Sequence, residues 1–354
     1  MNEIYQTDLV SFLEFYESNH ICPYYFCSKN ELENFIEAYL VKNLVQSDND
    51  FLYFFRCMLK KLVGSLDSHT IIRTRDEYKH WPLKLEVAKS SEQVFVTAAS
   101  EKYQKYIGRE VVRINDAGIK DLLAESAQAI SYSTDGWRKA ETGRFLSSRP
   151  ALRSLPSIKS DTNKITYYFM NNEKLEVDDG EYLQAQPKNF DFEINSSSLI
   201  LHFTACSEEY PGQMRDAVQM LRKIVLGGMF KTFTLDLSGN MGGNDQVIKP
   251  LVEWLKGVNL EKYVKVDRYV QSASLFALND MCKIGARIIG KEIGSSMNHV
   301  GNNLRHELPS GRFLTIVATR YFYLDNHNDY HTVRTNKEFE ELNPSYICLK
   351  SLLS

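Results

Sequence analysis

Residues 232–245, TFTLDLSGNMGGND, set a β-branched and aromatic run directly before a cluster of three glycines. The run at 230–237, FKTFTLDL, has glycines close by on both sides and reads as a buried strand. Gly239, Gly242 and Gly243 then surround Asn240, and the apolar-periodic segment VIKPLVEWLKG follows. Strand, glycine turn and helix in that order demand an α/β unit. They also place bare backbone N–H groups near a helix N-terminus, where an anion is favoured. A phosphate and the oxyanion of an acyl transfer both satisfy that requirement. A nucleotide is the weaker fit, because GNMGGND lacks the lysine and Ser/Thr that follow the glycines of a P-loop.

The rest of the C-terminal half repeats this texture. LILHFTA, MRDAVQMLRKIVLGG, YVKVDRYVQ, SASLFALNDMCKIG and ARIIGKEIG alternate strand and helix patterns, which predicts a layered α/β core over residues 191–354. Residues 1–75 read as a helical subdomain. Ser28 with Glu31 forms a capping box, and Ser47 or Asp48 caps the run FLYFFRCMLKKLVG, with Gly64 as its C-cap. The break that follows, LDSHTIIRTRDE, holds one histidine, His69. Residues 76–190 read as a β-rich middle region, with strands PLKLEVAK, EQVFVTAAS and REVVRINDAG, a short helix, a helical connector, and a hairpin around Asn171 and Asn172.

Composition narrows the partners. With 43 % apolar and 25 % charged residues and a net charge of −3, nothing points to nucleic acid or an anionic membrane. No apolar run reaches the roughly 18 residues that span a bilayer, and the N-terminus lacks the basic n-region of a secretory signal. The six cysteines are scattered without a CxxC pair, so reduced core thiols are expected rather than a disulfide framework or zinc site. No cofactor or metal is implied. The expected setting is the cytoplasm, with a homo-oligomer open.

Three further stretches bear on the glycine turn. At 271–274, QSAS sits where a strand passes into a helix. A serine there exposes its hydroxyl with the helix dipole behind it, which suits a nucleophile or an oxyanion site; the plain alternative is that Ser272 or Ser274 is an N-cap. At 66–70, LDSHT holds His69, which by itself reads as a solvated loop histidine. At 337–344, KEFEELNP reads as a solvated acidic surface.

Taken together and in this order, the four stretches resemble the serine peptidases of the C-terminal-processing protease and tricorn-core type. DLSGNMGG is similar to that family's D-L-R-x-N-x-G-G turn, and SASLFALNDMCKIGARIIGKEIG to its S-A-S-E helix and I-G-E strand. LVGSLDSHT is similar to the L-x-D-x-H-T motif of the tricorn-like branch, and KEFEELNPSYI to its V-E-N-x-G-V-x-P-D-I ending. YIGREVVRINDAGIKDLL looks similar to the core of a PDZ-like domain. The resemblance implies a crotonase/ClpP-like αβα catalytic core acting on peptides or unfolded chains. It implies Ser272 as nucleophile and His69 as general base, with Ser68 the serine that precedes it. Glu338 would orient the base, and the N–H groups of Ala273 and of Gly243 or Gly242 would form the oxyanion hole. A serine hydroxyl needs such a base near neutral pH, and backbone donors aimed at the oxyanion are worth on the order of 3 kcal/mol each.

The chain departs from the family pattern in places. No lysine stands where the serine–lysine branch has one, and Lys291 falls at the glutamate of I-G-E. Leu275 replaces the glutamate of S-A-S-E and Ser238 the arginine of D-L-R, as drift toward a catalytically inactive ligand- or peptide-binding protein on the same fold would leave them. A crotonase-like acyl-thioester enzyme is a third reading. It would need neither Ser272 nor His69.

Overall fold

The computed structural model describes residues 1–64, 67–75, 77, 83–88, 91–158, 164–178, 189–195, 197–228, 230–290, 292–322 and 324. The chain divides into two compact units, Met1–Ala185 with Val300–Tyr321, and Gln186–His299 with Phe322–Ser354. The architecture is mixed α/β.

The first unit opens with helices α1 (Glu3–Asn19), α2 (Lys29–Lys42) and α3 (Asp48–Val63). The expected capping box of Ser28 with Glu31 forms, Ser47 rather than Asp48 is the second cap and makes a box with Asp50, and Gly64 closes α3 at φ +57. Helix α3 is buried from Phe51 through Leu59 without a break. A helix apolar on every side must be a central one. Phe51, Phe54 and Phe55 pack with Phe12 of α1 and with Phe313 into one core. Each such ring contributes roughly 1.5–3 kcal/mol by leaving water. Arg56, alone in this run as a charge, pairs with Glu77 and lies 4.6 Å from the Phe145 ring centre.

Strand β1 (Ile71–Thr74) follows. The unit continues with β2 (Leu83–Val87), β3 (Val94–Ala99), β4 (Glu110–Ile114), β5 (Ala117–Gly118), α4 (Ile119–Ala129), α5 (Asp135–Ser147), α6 (Arg149–Ser154), β6 (Lys164–Phe169) and β7 (Lys174–Asp178). Strands β2-β3-β4-β6-β7 form an antiparallel sheet in that order, with β5 paired to β4. The alternation in KITYYF and LKLEV turns Ile165, Tyr167, Phe169, Leu83, Leu85 and Val87 into a shared core.

In the second unit, β8 (Phe190–Ile194), β9 (Ser198–Phe203), α7 (Gln213–Gly227), β10 (Thr232–Asp236), α8 (Lys249–Lys256), β11 (Glu261–Lys265), α9 (Ala273–Lys283) and β12 (Arg287–Ile289) follow one another. The sheet order is β12-β11-β10-β9-β8, with β9 to β12 parallel and β8 antiparallel at the edge. Leu201, Phe203, Phe233, Leu235 and Val264 share one core with the apolar stripes of α7, α8 and α9. One helix, α8, and one strand, β11, fit between Gly243 and Ser272, and β11 pairs with β10 and β12 in unbroken register.

Strands β13 (His299–Glu307) and β14 (Phe313–Phe322) complete the elements, and the sheet order β1-β14-β13 belongs to the first unit over Val300–Tyr321. Ile71 stands opposite Ile316 and Thr74 opposite Phe313. No helix among the described residues is long and apolar enough to cross a membrane.

Candidate active site

Parallel strands β9, β10 and β11 end on the same side of the sheet, so the loops leaving their carboxyl ends meet there. This is where open α/β sheets build their sites. The β10 loop is the glycine turn. Asp236 braces its start: Ser238 N–H donates to Oδ1 (2.9 Å) and Lys265 Nζ to Oδ2 (2.9 Å). Burial opposes ionisation of Asp236, but the hydrogen bonds from Ser238 and Lys265 outweigh it and hold its pKa below the usual carboxylate value. The next residue of the turn is fixed by Asp267, which accepts from Gly239 N–H at 3.0 Å.

Gly242 and Gly243 have φ of +98 and +140, a region that side-chain-bearing residues avoid. Their neighbours also exclude a Cβ. One on Gly242 would lie 2.7 Å from Ser272 Cβ and 2.8 Å from Ala273 N, and one on Gly243 would lie 2.3 Å from the Cys206 carbonyl oxygen. The glycines are therefore demanded by the approach of the β9 and β11 loops.

Ser272 follows β11 and stands in the N-cap position of α9, partly exposed. Its backbone is at φ +58, ψ −128, and its side chain makes no capping hydrogen bond. A non-glycine residue held there costs on the order of 1–3 kcal/mol, and such positions cluster at functional sites. The N-cap reading therefore fails for Ser272 in its energetic sense. Ser274 is the serine engaged locally, its Oγ donating to Gln271 O (2.7 Å) and Asn240 O (2.9 Å). Leu275 is fully buried, so the family's glutamate position here belongs to the core.

The Gly242 N–H donates to Asn240 Oδ1 at 2.9 Å. Of the three candidate oxyanion donors, Gly243 and Ala273 are the two with no such local acceptor among the described residues. Asn240, which the sequence marks only as a turn residue, is the buried centre of the arrangement. Its Nδ2 donates to Phe203 O (2.7 Å), and its own carbonyl accepts from Gln271 N–H (3.3 Å).

His69 lies in the first unit and is buried, 6 % exposed, against the expectation of a solvated loop histidine. Its loop is organised by Asp67, whose Oδ1 accepts from His69 N–H (2.6 Å) and Thr70 N–H (2.9 Å), while Oδ2 meets His20 Nε2 at 3.1 Å. Thr70 Oγ1 accepts from Ala318 N–H (3.1 Å), fastening the loop to β14. Burial pushes the His69 pKa below the ordinary histidine value, and the Asp67 carboxylate offsets part of that. Asp67 itself stays below the usual carboxylate value: its burial opposes ionisation, and the influence of His20, of His69 and of the Thr70 hydrogen bond prevails. Ser68 is buried beside His69. Glu338 and Lys291 lie outside the described residues. No group of three or more His, Cys, Asp or Glu among the described residues is placed to hold a metal ion.

No protein-family model and no curated protein matches the sequence. Solved structures do. Mature CPAF complexed with lactacystin aligns with a TM-score of 0.58 at 11 % identity, over 99 % of this chain and 98 % of that one. Mature CPAF aligns at 0.55 and 11 %, over 90 % and 89 %. The photosystem II D1 C-terminal processing protease aligns at 0.49 and 13 %, over 91 % and 89 %. At such identities a likeness speaks for the fold alone, and the chain shares the fold of the two CPAF structures over nearly its full length.

Proposed function

We propose that the chain is a serine peptidase that hydrolyses peptide bonds through an acyl-enzyme on Ser272. The observation that carries this reading is the seat of Ser272. It is a strained, partly exposed and locally uncapped serine at a strand-to-helix junction, with the backbone of Gly242 pressed against it. A serine serving only as a cap would adopt relaxed backbone angles and bond to the helix N–H groups.

In this mechanism Ser272 Oγ attacks the scissile carbonyl while His69 takes its proton, then returns it to the leaving amine. The developing oxyanion is held by the N–H groups of Gly243 and Ala273. Water, activated by the same histidine, releases the acyl group. A base that must be neutral suits a buried histidine whose pKa is lowered. Glu338 is the proposed acidic partner and Ser68 the proposed hydroxyl beside the base. The fold shared with the CPAF structures supports the assignment, and a peptide or an unfolded chain is the proposed substrate.

Hydrolysis of an unfolded, fluorophore-quenched protein substrate tests the reading. Ser272→Ala and His69→Ala are each expected to lower kcat by about 10⁴-fold or more. Retention of wild-type turnover in both variants would favour a crotonase-like use of the same backbone donors, and absence of turnover in the wild type would favour a binding protein.

A further inference from the structure

We propose that Asn240 is the positioning residue that sets the two oxyanion donors against Ser272, and that it makes Gly243 rather than Gly242 the donor of the glycine turn. This rests on the serine-peptidase reading above. Asn240 is completely buried and joins three loops, two through its side chain and the third through its backbone carbonyl. Toward the β9 loop, Nδ2 donates to Phe203 O at 2.7 Å, and Oδ1 also meets Cys206 Sγ at 3.6 Å. Within the glycine turn, Oδ1 accepts the Gly242 N–H at 2.9 Å. Toward the nucleophile, the Asn240 carbonyl accepts Ser274 Oγ at 2.9 Å and Gln271 N–H at 3.3 Å, one hydrogen bond from each side of Ser272.

The choice between the glycines follows from this network. The Gly242 N–H is turned onto Asn240 Oδ1. The next peptide is pinned from its other side, because the Gly242 carbonyl accepts Cys206 N–H at 3.0 Å. In a planar trans peptide the N–H lies opposite the carbonyl, so the Gly243 N–H points away from Cys206. One rigid amide thus does two things that no other side chain of its size does: it donates at one end and accepts at the other. Aspartate keeps the acceptor toward Gly242 but sets an oxygen against the Phe203 carbonyl, unless it is protonated.

The test compares wild type with Asn240→Asp, Asn240→Ala and Ser274→Ala. It follows kcat and KM on an unfolded-protein substrate and the rate of acylation by a fluorophosphonate, with circular dichroism as the check on folding. Asn240→Asp is expected to lose about 10²-fold in kcat and in acylation rate at pH 8, with KM changed by less than about 3-fold. Its rate relative to wild type is expected to climb as pH falls toward 6 and the carboxyl takes up a proton, while that of Asn240→Ala stays flat. Ser274→Ala, which removes the hydroxyl that meets the Asn240 carbonyl, is expected to lose on the order of 10-fold. If Asn240→Ala does not fold, the nearly isosteric Asn240→Asp decides. Folded variants that label and turn over within about 2-fold of wild type overturn the proposal while leaving the peptidase reading intact. A wild type that neither labels nor turns over removes both.

Discussion

A Cβ placed on Gly242 would lie 2.7 Å from the Cβ of Ser272, so the glycine turn and the serine turn meet backbone to backbone. Two parallel strands, β10 and β11, deliver these turns side by side, with Asp236 and Lys265 in register just before them. Everything proposed for the chemistry depends on that contact holding.

Substituting Gly242 by alanine should therefore damage both stability and catalysis. The new methyl meets Ser272, Ala273 N and Gln271 O, and φ is +98. We expect a loss on the order of 2–4 kcal/mol in urea unfolding and a fall in kcat/KM of about 10²-fold, because a displaced nucleophile loses its alignment. Gly239 is the control. It too has positive φ, +79, but nothing stands within 4 Å of its Cβ position. Gly239→Ala should cost about 1 kcal/mol and leave kcat near wild type.

The pH profile of kcat/KM should report His69. Its folded pKa lies below the ordinary value, with burial the main cause. The active form is the neutral imidazole, so activity is expected to persist below pH 6.5 and to fall only as pH drops through the lowered value. For stability the sign is the same. Between the two pKa values the unfolded chain binds the additional proton, so stability rises with pH through that window and is flat above it. An acid limb centred above pH 6.5 would contradict the assignment of His69 as a buried base.

Asp67 holds the His69 loop through two backbone N–H groups and His20. Both side chains are buried, so His20→Ala leaves a carboxylate without its partner and should cost on the order of 3 kcal/mol, read from denaturant midpoints. The folded pKa of Asp67 is depressed, so its contribution is present above the unfolded value near 3.9 and is lost as pH falls through the folded one.

Thiol chemistry should be silent in the candidate site. Cys206 contacts Asn240 in the candidate site, yet burial pushes its pKa up to about 12, and burial likewise raises Cys22 to about 12 and Cys57 to about 11. Thiolates are the reactive species. Iodoacetamide under native conditions is expected to leave Cys22, Cys57 and Cys206 unalkylated, read by peptide mapping.

Much of the second unit was legible in the sequence because its signals are local. The glycine cluster after β10, the serine at the head of α9 and the strand–helix alternation all follow from short-range periodicity and turn chemistry. The Ser28–Glu31 capping box and an N-cap at Ser47 or Asp48 were legible for the same reason. The environment of His69 was not. Its loop is held by Asp67 and by the bond between Thr70 and Ala318 of β14, 248 residues apart in the chain, and no local pattern encodes that. Asn240 was readable as a turn residue, but its role as a three-way tie depends on Phe203, Gly242 and Gln271 converging in space. Glu338 falls outside the described residues, and its place beside the base rests on the motif alone.

Intact-mass spectrometry of the protein treated with a fluorophosphonate, followed by peptide mapping, tests the central claim most directly. One adduct per chain is expected, on Ser272, absent in Ser272→Ala and formed far more slowly in His69→Ala. No adduct on the folded wild type, or an adduct that persists in Ser272→Ala, would contradict Ser272 as the nucleophile.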